Sequence, residues 1–140
     1  MPGERELREA KQFAVSGDQP AALKKYQEIV SNFPEMGDEA LFRMGLLLAH
    51  SKENRSDYRK SLDAFRTMLD KYPRSIFRDE AEAMMALINE LLGKEQKVRS
   101  LQKQTETWEK KADTLERKIE QMKEIDLEVE LKKRRLQPHK

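Results

Sequence analysis

The segment Ala22-Leu23-Lys24-Lys25-Tyr26-Gln27-Glu28-Ile29-Val30-Ser31-Asn32-Phe33-Pro34 recurs without a gap as Ser61-Leu62-Asp63-Ala64-Phe65-Arg66-Thr67-Met68-Leu69-Asp70-Lys71-Tyr72-Pro73, 39 residues further on. A chain that repeats a unit of this size is built from stacked copies, because each copy hides its apolar face against the next. Both copies read as a small residue, Leu, an aromatic, two aliphatics and a closing aromatic-Pro pair. Ala22, Leu23, Tyr26, Ile29, Val30 and Phe33 stand at i, i+1, i+4, i+7, i+8 and i+11, one broad stripe on a helix. Pro34 and Pro73 then end the helices, since proline disfavours helical geometry in the residue before it.

A second repeated unit follows each proline. Residues 38–48 (Asp38-Glu39-Ala40-Leu41-Phe42 onward) match residues 79–89 (Asp79-Glu80-Ala81-Glu82-Ala83 onward), and residues 7–14 give an earlier copy that ends at Ser16-Gly17-Asp18. Two helix types, A and B, therefore alternate, and the spacing predicts helices over 4–16, 20–33, 38–51, 56–72 and 78–92. Asp38 and Asp79 are expected N-caps. Ala10, Gly45 and Ala86 are expected where an A helix meets its B helix closely. Gly93 is expected to turn the chain, because glycine accepts the left-handed cap conformation.

These residues carry a resemblance. The small-aromatic-proline spacing of the B helices, with a small residue inside each A helix, resembles tetratricopeptide repeats. The junction Tyr72-Pro73-Arg74-Ser75-Ile76-Phe77-Arg78-Asp79-Glu80-Ala81 is similar to that of the BamD-like and CpoB-like bacterial cell-envelope lipoproteins, and residues 33–42 repeat it without the serine. The resemblance implies an all-α fold, a short TPR-like solenoid of about two and a half repeats over 1–93. The loop Ser51–Asp57 is longer than a minimal repeat needs. The resemblance also implies a protein of the cell envelope, periplasmic or outer-membrane-anchored in preference to cytoplasmic. Such solenoids bind partners on the concave face lined by A helices. The groove candidates by this pattern are Leu7, Lys11, Glu39, Phe42 and Leu46, followed by His50, Glu80, Ala83 and Leu87.

Past Gly93 no proline or glycine appears until Pro138, which predicts a helix over 94–137 and a disordered tail at 138–140. Such a helix spans roughly 64 Å at about 1.5 Å per residue. Leu101, Trp108, Leu115, Met122, Val129 and Leu136 recur at sevens. Val98, Ala112 and Ile119 fill the companion track, which also holds Thr105, Asp126 and Lys133 and so weakens toward the C-terminus. That is a coiled-coil seam. It is expected to pair with further copies of the chain; folding back on the repeats and a heterologous helix are the alternatives. Residues 125–131 alternate apolar and polar with period two. As a strand they would make an amphipathic edge, while the Lys, Glu and Leu content in and around them and the lack of breakers favour helix. Read as helix, they place Leu127 and Leu131 away from the seam, a second apolar face on which another molecule could dock. This phrase with the basic end is similar to the C-termini of QseG-like lipoproteins associated with sensor kinases. The rival function is therefore a regulator that docks its last helix on a sensor kinase or other helical partner.

Composition separates the two regions and narrows the chemistry. Residues 1–92 carry 14 basic and 16 acidic side chains, residues 93–140 carry 14 and 10. A net charge of +2 is far from a nucleic-acid-binding balance, so no nucleic acid is expected. With no cysteine, thiolate sites and disulfides are excluded. The opening Met1-Pro2-Gly3-Glu4 has no basic, apolar leader, and membrane contact is expected only through a lipid anchor outside this sequence. No phosphate loop, H-E-x-x-H or G-x-S-x-G is present. His50 reads as a capping or solvent-facing residue and His139 as part of a frayed tail. Asp38-Glu39 and Asp79-Glu80 read as helix starts, Trp108 as seam, Met84-Met85 as core or adaptable surface, and Lys132–Arg135 as a solvated helix end. No cofactor and no metal are expected. The sequence thus reads as a non-enzymatic scaffold that binds a peptide or helix.

Overall fold

The computed structural model describes residues 1–50 and 55–137, the side chains of 55 and 56 excepted. Residues 51–54 of the expected long loop, and the expected tail at 138–140 with Pro138, lie outside the described residues. Five α-helices account for nearly all of the rest: α1 (Glu4–Ser16), α2 (Gln19–Asn32), α3 (Gly37–Ala49), α4 (Arg55–Lys71) and α5 (Arg78–Leu136). No strand occurs among the described residues, and residues 125–131 are helical.

The first connection shows how local chemistry sets the ends. Gly17 takes a left-handed φ of 87° and closes α1, with Asp18 N–H donating to the Phe13 carbonyl at 2.9 Å. Asp18 then opens α2, its Oδ1 accepting from Ala21 N–H at 3.2 Å. Pro20 sits in the first turn of α2, where a missing N–H costs nothing. Two residues thus stop one helix and start the next, which makes α1 and α2 packed neighbours.

The chain divides into two compact units, one from Met1 to Lys94 and a second from Glu95 on. Within the first unit, α1 packs on α2, α2 on α3, and α3 on α4. One apolar cluster joins Leu7, Ala10, Ala22, Tyr26, Ile29 and Ala40; a second joins Leu41, Phe42, Leu62, Phe65, Met68, Ala81 and Ile88. Helix α3 contributes to both. The repeated positions are buried in both copies: Ala22 with Ser61, Tyr26 with Phe65, Ile29 with Met68, and Ala40 with Ala81. Ser61, the one buried polar member, donates its hydroxyl to the Gly45 carbonyl at 2.6 Å, so its burial leaves no unmet donor.

Gly45 fulfils its expectation. A Cβ there would stand 2.5 Å from the Phe65 ring, so α3 and α4 approach as closely as they do only over a bare backbone. The closing aromatic also ties the repeats together, since the Tyr72 hydroxyl donates to the Pro34 carbonyl at 2.8 Å. Tyr72 then occupies the space a side chain at the buried Gly37 would need.

Three expectations need correction. Asp38 and Asp79 are not N-caps: α3 begins one residue earlier at Gly37 and α5 at Arg78, and the capping position before α3 is Met36. The single 3-10 turn Pro34–Met36 runs directly into α3, which leaves no separate capping residue. Asp38 instead accepts from the Ser75 hydroxyl at 2.6 Å and from its neighbour Glu39 N–H at 2.8 Å. Both aspartates still sit in first turns, where negative charge suits the helix dipole.

Second, Gly93 does not turn the chain. Its φ is not positive, and α5 passes through it. A glycine costs about 1 kcal/mol inside a helix, and Leu91, Leu92, Lys94 and Glu95 are strong helix formers that outweigh it. Third, Ala86 is exposed, because no B helix follows to pack on it. Nothing lies within 4 Å of a Cβ built at Gly93. Gly93→Ala is therefore expected to stabilise α5 by about 0.5–1 kcal/mol, read as a higher thermal midpoint of the helical circular dichroism signal.

Candidate functional site

Helices α1, α3 and the start of α5 present their uncovered sides in two shallow hollows of the first unit. The smaller, about 190 Å³, is lined by Ala14, Tyr26, Arg43, Leu46, Leu47 and His50. The larger, about 300 Å³, is lined by Ala49, His50, Tyr58, Met84, Leu87 and Leu91, among others. His50, at the C-terminal end of α3, belongs to both. A third hollow of about 440 Å³, lined by Gln19, Pro20, Leu23, Met44, Leu48, Asp57 and Lys60, opens between α2, α3 and α4.

The expected groove residues separate into four groups. Leu46, His50 and Leu87 line the hollows, and Leu87 is 55% exposed. Leu7 and Phe42 do not: both are buried, Leu7 against α2 and Phe42 stacked on Phe77 with ring centroids 4.9 Å apart. They are core residues, because an A helix must pack against neighbours on both sides and its apolar stripe is wider than its groove face. Glu80 and Ala83 are exposed in the first turns of α5 and line neither hollow. Sequence reasoning missed Tyr58, Leu91, Arg43 and Leu47 as groove residues, and read Met84 only as core or adaptable surface. Leu91 and Met84 were findable one turn either side of Leu87; Tyr58 sits on a B helix, where no A-helix pattern could reveal it.

Lys11 and Glu39 are brought together. Lys11 Nζ lies 3.1 Å from Glu39 Oε1, and Arg43 Nε donates to the same oxygen at 2.9 Å, which bridges α1 to α3. Partial burial disfavours the Glu39 carboxylate, but the hydrogen bonds from Arg43 and Lys11 outweigh it and hold the pKa below its ordinary value. Burial, in turn, raises the phenol of nearby Tyr26 above its usual value. A depressed carboxyl pKa contributes stability above the unfolded pKa of about 4.3, lost as pH falls through the folded value. The wild type is therefore expected to be more stable than Glu39→Gln above about pH 5, the gap closing below about pH 4. Urea unfolding of both proteins at pH 7 and pH 3 reads the difference.

In the second unit every seam residue is at the surface. Leu101 is 52% exposed, Trp108 67%, Leu115 58%, Ile119 51% and Met122 63%, and Val98, Ala112, Val129 and Leu136 are likewise exposed. Local contacts stabilise the helix without covering that edge. Arg117 pairs with Asp113 at 3.1 Å, Lys111 lies over the Trp108 ring at 4.8 Å, and Thr105 and Thr114 donate to carbonyls one turn back. Exposed pairs of this kind are worth only tenths of a kcal/mol. The second face is exposed as well, Leu127 at 59% and Leu131 at 44%.

No protein family, curated protein or solved structure matches the chain. Among the described residues no three acidic or histidine side chains are grouped to hold a metal ion, and no helix is long and apolar enough to cross a membrane.

Proposed function

We propose that the chain is a helical-repeat scaffold: a TPR-like body that offers its hollows to a peptide or helix, and a terminal helix that oligomerises as a coiled coil. The observation that carries this reading is the exposed seam. A helix gains most of its stability in water from packing an apolar face, and each fully buried Leu or Met contributes about 1.5–3 kcal/mol. A heptad track that runs from Leu101 to Met122 at half exposure or more is a large unrealised contribution, which a second helix would supply. Assembly would also present several bodies together, so that weak grooves act by avidity. Placement in the cell envelope, on the periplasmic face, rests on the residue 72–81 junction and its likeness to BamD-like and CpoB-like proteins.

Sedimentation equilibrium of the full chain at tens of micromolar tests the assembly. A mass of two or more chains is expected; a monomer with intact helical circular dichroism overturns it. A second reading has its own observation, the additional apolar face at Leu127 and Leu131. In that reading the terminal helix docks on the helices of a sensor kinase or similar partner. Partner capture retained by residues 1–92 alone favours the hollows, and capture lost with the terminal helix favours docking.

A further inference from the structure

We infer that the second copy pairs antiparallel along the seam, in the one register that sets Trp108 of each chain against Ala112 of the other. This rests on the self-association proposed above and deepens it to an orientation. The seam alternates steps of three and four: Val98, Leu101, Thr105, Trp108, Ala112, Leu115, Ile119, Met122, then Asp126. These are helical positions, and the apolar ones are exposed. In a parallel pair in register each layer holds two copies of one residue. Two indoles would then share the layer at 108, two methyl groups the layer at 112, and two carboxylates the layer at 126.

Antiparallel pairing about residue 110 removes all three conflicts. Trp108 meets the second copy's Ala112, Leu101 its Ile119, Val98 its Met122 and Thr105 its Leu115. Three of these layers join a large to a smaller side chain and Leu101–Ile119 joins two of equal size, so the volume changes little along the seam, as close packing requires. Charge agrees with shape: Asp126 falls opposite the second copy's Lys94, a cation facing an anion at an otherwise costly seam position. Flanking charges decide little. The antiparallel pair places Glu109 and Lys111 beside their own copies at the rim, whereas the parallel pair gains Lys111–Glu116 and loses Lys118–Lys123. Exposed pairs contribute only about 0–1 kcal/mol either way.

The full chain has no cysteine, so Glu124→Cys carries a single nitroxide on the face opposite the seam. Pairing about residue 110 separates the two labels by roughly 42 Å along the axis at about 1.5 Å per residue. With helix widths added, a dipolar distance near 45 Å is expected. A distance on the order of 20 Å means parallel helices and overturns the inference while leaving self-association intact. A distance of about 35 or 55 Å, one heptad off, overturns the register. A monomer by sedimentation overturns this inference and the proposed assembly together. In a second measurement, Asp126→Lys is expected to weaken the dimer roughly tenfold, and added Lys94→Glu to recover it. Losses that simply add overturn the pairing.

Discussion

Leu115→Glu is expected to weaken self-association of the full chain by about a thousandfold or more, leaving a monomer at micromolar concentration. The estimate follows from burial. Each assembled pair loses two leucine side chains, each worth about 2 kcal/mol when covered, and gains two carboxylates that must be desolvated or pushed apart. At about 1.4 kcal/mol per factor of ten, the leucines alone account for nearly three decades. The exposure of Leu115 and its heptad neighbours also means the monomer has nothing of its own to lose. The first unit keeps its separate core, so its cooperative unfolding should be unchanged. Lys110→Glu, five residues earlier and on the face away from the seam, should leave assembly within about twofold. Sedimentation velocity of the three proteins checks this, and an unchanged mass for Leu115→Glu would show that the seam is not the contact.

The first four helices were legible almost to the residue because their ends are written in local chemistry. Gly17-Asp18 supplies a left-handed stop and a side-chain start, and aromatic-Pro pairs close both B helices. What the sequence hid depended on how a residue's own preference is outweighed by its surroundings, near or distant along the chain. Gly93 carries the same residue type as Gly17, yet only Gly17 is left-handed. A glycine is a stop only where the residues after it prefer to leave the helix. Within three residues after Gly17 come Asp18 and Pro20, a cap and a breaker; after Gly93 come Lys94, Glu95 and Gln96. The groove was half legible for a related reason. Periodicity marks the apolar stripe of α3, but whether Phe42 or Leu46 faces a neighbour is set by Phe77, some 35 residues later. Asp38 was misassigned in the same way, its true partner being Ser75.

Phe65→Ala is expected to cost about 3–5 kcal/mol of folding stability, the range for deleting a fully buried ring that neighbours cannot replace. The ring stands against Phe42 at 5.8 Å between centroids and over the bare backbone of Gly45, so α3 and α4 would be left with a void between them. Gly45→Ala is expected to destabilise as well, by about 1–3 kcal/mol, although alanine is the better helix former, because its methyl must displace that ring. The two substitutions test one contact from opposite sides. If close approach at Gly45 is set by the Phe65 ring, then Gly45→Ala in the Phe65→Ala background puts a methyl group into empty space. Its cost should vanish, or turn into a gain of a few tenths of a kcal/mol from helix propensity and partial filling. Denaturant unfolding of the two single variants and the double variant reads the coupling. Strict additivity would mean that glycine at this position answers to something other than the aromatic side chain facing it.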